Sequence, residues 1–105
     1  MARFDVYPNL GLHARSNPYL LDVQCELLDG LDSRMVIPLR DLERFSKVNL
    51  PTRLTPVFSI QGNAFLLQTP KMGAVPKRVL KSPVTSLATE QAQITAALEF
   101  LFQGY

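Results

Sequence analysis

The stretch Tyr19-Leu20-Leu21-Asp22-Val23-Gln24-Cys25-Glu26-Leu27-Leu28, followed by Asp29-Gly30-Leu31-Asp32-Ser33 and then Arg34-Met35-Val36-Ile37-Pro38-Leu39, decides the fold. Its first part alternates. Leu21, Val23 and Cys25 fall on one face, and Asp22, Gln24 and Glu26 on the other. A period of two is what a half-buried strand requires, because successive side chains point to opposite faces. The middle part is rich in residues that turn the chain. The last part is short, branched and apolar, a second strand. The two strands form a hairpin. Pro38 has no N–H to give to a ladder, which places it at a sheet edge or where pairing ends.

Working outward, 105 residues is the size of one domain, and a single domain spanning 1–105 is expected. Hydrophobic residues make up 47% of the chain, enough for a real core. No apolar run approaches the roughly twenty residues of a membrane span. The opening Met-Ala-Arg-Phe-Asp does not read as a secretory signal, so a cytoplasmic protein without a membrane partner is expected. Cys25 is the single cysteine and has no partner for a disulfide; its strand position reads as a small core hydrophobe. A net charge of +2 argues against a highly basic nucleic-acid binder and permits an acidic protein partner.

Arg3 to Tyr7 alternates, with Phe4 and Val6 on one side, and reads as a first strand. Pro8 to Pro18 is a loop by its Pro, Gly, Asn and Ser content, exposed at His13, Arg15, Ser16 and Asn17. Arg40 to Val48 reads as one or two helical turns or a polar connection, ended by Pro51. Arg53 to Ile60, the turn Gln61-Gly62-Asn63 and Ala64 to Thr69 form a second hairpin. A turn at Pro70–Gly73 leads to a last strand from Ala74 to Leu80. Lys71, Lys77, Arg78 and Lys81 form a loose basic cluster, either a solvated edge that discourages aggregation or a phosphate contact.

The tail changes period. Ala88 to Phe102 has no Gly or Pro, and Ile94, Leu98 and Leu101 continue a line from Leu87 and Gln91. That pattern predicts one apolar stripe on a helix laid over a sheet. Thr89, Glu90 and Gln91 suit its first turn, and Gly104 suits a left-handed cap. The fold class is therefore mainly β with one C-terminal helix.

Chemistry is sparse. The sequence holds no Ser-His-Asp or Cys-His arrangement, no glycine-rich phosphate loop and no metal-ligand spacing. His13 stands alone, and none of the nine carboxylates is marked as a positioned base. No catalytic residue and no cofactor is expected. From the residues alone the reading is a small β-rich binding protein.

Several motifs go further. Leu21-Asp22-Val23-Gln24, Leu27-Leu28-Asp29, Arg34-Met35-Val36-Ile37-Pro38-Leu39, Leu54-x-Pro56-Val57 and Met72-x-x-Val75-Pro76 resemble the CcdB toxin family in order and spacing. So does a helix ending in Gly104 and one last residue. The resemblance runs from Phe4 to Tyr105, with only the Pro8–Pro18 loop failing to align. It implies a small SH3-like barrel with a C-terminal helix, shared with MazF-type toxins, assembled as a homodimer. It also implies a non-enzymatic toxin of a type II toxin–antitoxin pair that binds the A subunit of DNA gyrase and traps the cleaved-DNA complex. A CcdA-like antitoxin with a disordered acidic tail would neutralise it, and the pair, with antitoxin present, would bind operator DNA and repress transcription.

Carried over residue by residue, the gyrase contacts fall on Leu27, Leu28, Glu99, Phe102, Gln103, Gly104 and Tyr105. Leu27 and Leu28 are adjacent, so one is expected to face the core and the other the surface. The best-known members carry Trp where this chain has Gln103 and an aliphatic residue where it has Tyr105. A Trp there can stack on a cation; Gln cannot. Two other readings stand beside this one. One is a MazF-like RNA-cleaving toxin, with Arg15, Arg34 or His13 as candidate groups. The other is a weakly toxic relative with another target.

Overall fold

In the computed structural model, which describes residues 2–11, 13–44 and 49–104, seven strands form one antiparallel, nearly closed, barrel-like sheet with a C-terminal helix. The strands are β1 (Asp5–Pro8), β2 (Tyr19–Asp22), β3 (Ser33–Asp41), β4 (Val57–Ile60), β5 (Asn63–Leu67), β6 (Gly73–Pro76) and β7 (Thr85–Ser86). Their order is β4-β5-β3-β2-β1-β7, with β6 also on β3. The helix α1 spans Gln91–Gln103.

The hairpin expected from the central stretch is present, β2 against β3, with Leu21 opposite Ile37. Pro38, however, lies inside a nine-residue strand rather than at a sheet edge. On one side β3 is covered by β2. On the other, Ser33–Val36 pair with β6 and Leu39–Asp41 with β5. Pro38 sits in the gap between these two partners, where its missing N–H breaks no ladder. Its carbonyl still accepts the Gln68 N–H at 2.9 Å.

The second hairpin turns through Gln61 and Gly62, both with positive φ (53° and 84°), the two-residue geometry whose twist matches antiparallel strands. Two strands stop earlier than their sequences suggest. β5 ends at Leu67, and Thr69–Lys71 is a 3-10 turn led by Pro70. β6 ends at Pro76, and Lys77–Val79 coils into another. The short β7, which pairs with β1, is not marked in the sequence. Part of the expected connection at 40–48 lies outside the described residues; what is described continues β3 to Asp41 and then turns.

The sheet is covered on both faces, and this overturns the expected wet face of β2. The main core gathers Val6, Leu21, Val23, Ile37, Leu39, Ile60, Leu67, Ile94 and Ala97. A second cluster, Tyr7, Leu20, Val36 and Leu80, lies on the opposite face. Asp22 and Gln24 belong to that second face and are buried. Cys25, expected in the core, is exposed, because the strand ends at Asp22 and the chain leaves the sheet.

The helix matches its pattern. Ile94 and Ala97 are buried and Leu98 packs on the core, but Gln91 is exposed and does not extend the stripe. Ala88–Glu90 forms a 3-10 turn before the helix, with no side-chain cap. Gly104 closes it at φ 81°, its N–H donating to the Phe100 carbonyl at 2.9 Å.

Candidate functional site

Glu26–Leu28 forms a single 3-10 turn between the hairpin strands, and none of its residues is buried. Leu27 is 92% exposed and Leu28 50%; the expectation that one of them faces the core does not hold. Alternation ends with β2, and a 3-10 turn does not send neighbouring side chains to opposite faces. Leu31, in the following turn, is also half exposed.

Exposed leucines on so short a turn need another restraint, and polar groups supply it. Arg34 is completely buried. Its Nε donates to Asp22 Oδ2 at 2.9 Å, and its Nη2 lies 2.7 Å from the same oxygen. Its Nη1 donates to Asp29 Oδ1 at 2.9 Å. Lys77 Nζ donates to the Asp29 carbonyl at 2.9 Å. Gln24 completes the frame: its Nε2 donates to the Leu28 carbonyl and its Oε1 accepts the Met35 N–H. With the register known, Arg34 is the diagonal neighbour of Asp22 on one face of β2–β3. That register was the signal that could have found the pair.

The helix end presents the other expected residues. Phe102 is 70% exposed, and Glu99, Gln103 and Gly104 are exposed; Tyr105 lies outside the described residues. Arg53 sits over the Phe100 ring at 5.7 Å from its centroid. Among the described residues no hydrogen bond, ion pair or ring contact joins 26–28 to 99–104. The turn and the helix end are two exposed surfaces within one chain.

A third surface is only partly foreshadowed by the basic cluster in the sequence. A groove of about 970 Å³ opens beside the Pro8–Pro18 loop. Apolar walls come from Leu10, Leu20, Val75 and Val79, and Arg40, Lys71, Arg78, Lys81 and His13 add basic groups. Three of the four residues of the loose basic cluster thus share one groove. The fourth, Lys77, is tied to Asp29 instead. Prolines at both ends of the loop and basic residues far along the chain were the only traces of it.

Arg34 is removed as a candidate for RNA chemistry: it is sealed from solvent and held by two carboxylates. Tyr7 is buried on the same face as this frame. Burial raises its pKa above the ordinary value, and the carboxylates of Asp5 and Asp22 add to the rise. No helix among the described residues is long and apolar enough to cross a membrane. A protein-family model described as CcdB protein matches residues 3–104.

Proposed function

The chain belongs to the CcdB family, and on that premise we propose that it is a toxin acting without covalent chemistry of its own. As a homodimer it binds the A subunit of DNA gyrase and holds the enzyme on cleaved DNA. The observation that carries this reading is a pair of apolar surfaces left open to water. Leu27 and Leu28 stand on the hairpin turn, and Phe102 stands at the end of a helix closed by Gly104. Adjacent exposed leucines such as Leu27 and Leu28 support an interaction site there. A two-fold dimer presents each surface twice, which suits a symmetric target. Glu99, Gln103 and Tyr105 complete the proposed contact. Mixing the protein with gyrase, DNA and ATP, then denaturing, is expected to release linear DNA. Intact circles from a protein that still binds its antitoxin would remove gyrase as the target.

The groove is the proposed seat of the antitoxin. Apolar walls with basic groups fit an extended peptide carrying both leucine-like and acidic side chains. The same basic groups favour an RNA reading, so RNA integrity is the control. Cleaved RNA with unaffected gyrase would replace the first reading with an RNA-cleaving toxin. In the cell the protein is proposed to act in the cytoplasm, where gyrase works, and to repress its operon together with the antitoxin.

A further inference from the structure

We infer that Asp29 is a positioning residue, one that fixes the leucine-bearing turn for its target without touching the target itself. The inference rests on the gyrase reading above. Glu26–Leu28 has no buried residue, so burial of its own side chains does not hold it. Its internal bonds are two, Leu28 N–H to the Cys25 carbonyl and Asp29 N–H to the Glu26 carbonyl. A turn closed by so few bonds and open to water is a weak local unit.

Beside Gln24, whose Nε2 reaches the Leu28 carbonyl, Asp29 links this weak unit to the buried Asp22–Arg34 pair. Its carboxylate accepts from Arg34, whose side chain is 0% exposed and already locked to Asp22 on β2. The Asp29 carboxylate also lies 3.8 Å from Lys77 Nζ, and the same ammonium donates to the Asp29 carbonyl. Side chain and main chain of one residue are therefore clamped from two sides, by Arg34 on β3 and by Lys77 in the 3-10 turn that follows β6. Asp29 follows Leu28 directly, so the clamp sets the direction in which Leu27 and Leu28 project. A preorganised turn binds more tightly because less freedom is lost on association. The Asp29 side chain is 47% exposed, and Asp22 remains in place to pair with Arg34 when the Asp29 carboxylate is removed. Asp29→Ala is therefore expected to fold.

The test measures three properties of the full chain. In Asp29→Ala, hydrogen exchange at the Leu28 and Asp29 amides is expected to speed up by about tenfold, the scale of one lost charge-assisted hydrogen bond. Affinity for the gyrase target should fall by about tenfold, while an acidic antitoxin peptide binds the groove unchanged. In a background already carrying Leu27→Ala and Leu28→Ala, Asp29→Ala should have no further effect on gyrase binding, because the residue acts through those side chains. Asp29→Glu should recover part of the loss. An equal loss in both backgrounds would show that Asp29 meets gyrase directly and would overturn the inference. Unchanged gyrase affinity in Asp29→Ala, with the leucine variants impaired, would overturn it alone. Leucine variants that bind gyrase normally would instead sink the reading of the site beneath it.

Discussion

Among the described residues, Arg34 is the largest side chain wholly shut away from water, and Asp22 is what makes that tolerable. Neither charge is stable alone in that position. Removing Asp22 breaks a buried pair and leaves Arg34 with only the half-exposed Asp29 carboxylate, a loss of up to about 3–5 kcal/mol. Asp22→Ala is therefore expected to lower stability to urea by about that amount, measured by the shift in the unfolding midpoint. A loss comparable to a surface pair, about 1 kcal/mol or less, would contradict the sealed geometry. Tyr7 lies on the same face, and burial raises its pKa first, with nearby carboxylates adding to the rise. The folded state thus holds the phenol proton more tightly than the unfolded chain. Stability from this source is complete below the unfolded value near 10 and is lost as pH rises through the folded one. Comparing unfolding midpoints from pH 8 to 11, Tyr7→Phe should show a shallower alkaline decline than the parent. The sequence disclosed Asp22 and Arg34 as residues of two strands, but not that they meet. Alternation shows which residues share a face; it does not say whether water lies beyond that face. Here Leu80, from the segment beyond β6, packs with Tyr7, Leu20 and Val36 of that face, and the polar residues Asp22 and Gln24 are buried with them.

At the scale of elements, the helix was the most legible part of the chain. Ile94 and Ala97, one turn apart, carry its contact with the sheet, and Gly104 ends it where expected. The turn at 26–28 was the least legible, since a 3-10 segment has no distinctive periodicity and its leucines imitate a strand. Gly104 separates structure from function. Its φ of 81° penalises any side chain, yet a Cβ there would meet nothing within 4 Å. Gly104→Glu should therefore cost about 1–2 kcal/mol of local strain, confined to a helix end that frays in any case. The bulk and charge would lie at the proposed gyrase contact. Cells expressing this variant should survive, while its melting temperature stays within a few degrees of the parent. Undiminished killing would move the contact away from the tail. Ile94→Ala is the complement: it opens a cavity under the helix and should cost about 2–5 kcal/mol. Its loss of toxicity would follow the loss of folded protein.

The whole molecule divides its surface by charge and polarity. A net charge of +2 is too small to steer association alone, but its distribution is uneven. Arg40, Lys71, Arg78 and Lys81 gather at one groove, whereas the turn at 26–28 carries leucines and Glu26. This clustering is a property of the closed sheet, because it joins a loop before β2, the end of β3 and the segments around β6. The window 71–81 contains part of it, but Arg40 and His13 join only in the folded chain. The two surfaces should respond differently to salt. Exposed ion pairs are screened over about 10 Å at 0.1 M ionic strength, and apolar contacts are not. Binding of an acidic peptide to the groove should weaken several-fold between 50 and 500 mM salt. Reversing Lys71 and Arg78 together to Glu should weaken it by about ten- to a hundredfold, since each reversal replaces attraction with repulsion. Calorimetric titration at the two salt concentrations measures both effects. The proposed binding to gyrase through Leu27, Leu28 and Phe102 should change far less over the same range. If salt weakened the two interactions alike, the groove and the leucine-bearing surfaces would not be separate sites, and one charged surface would have to serve both partners.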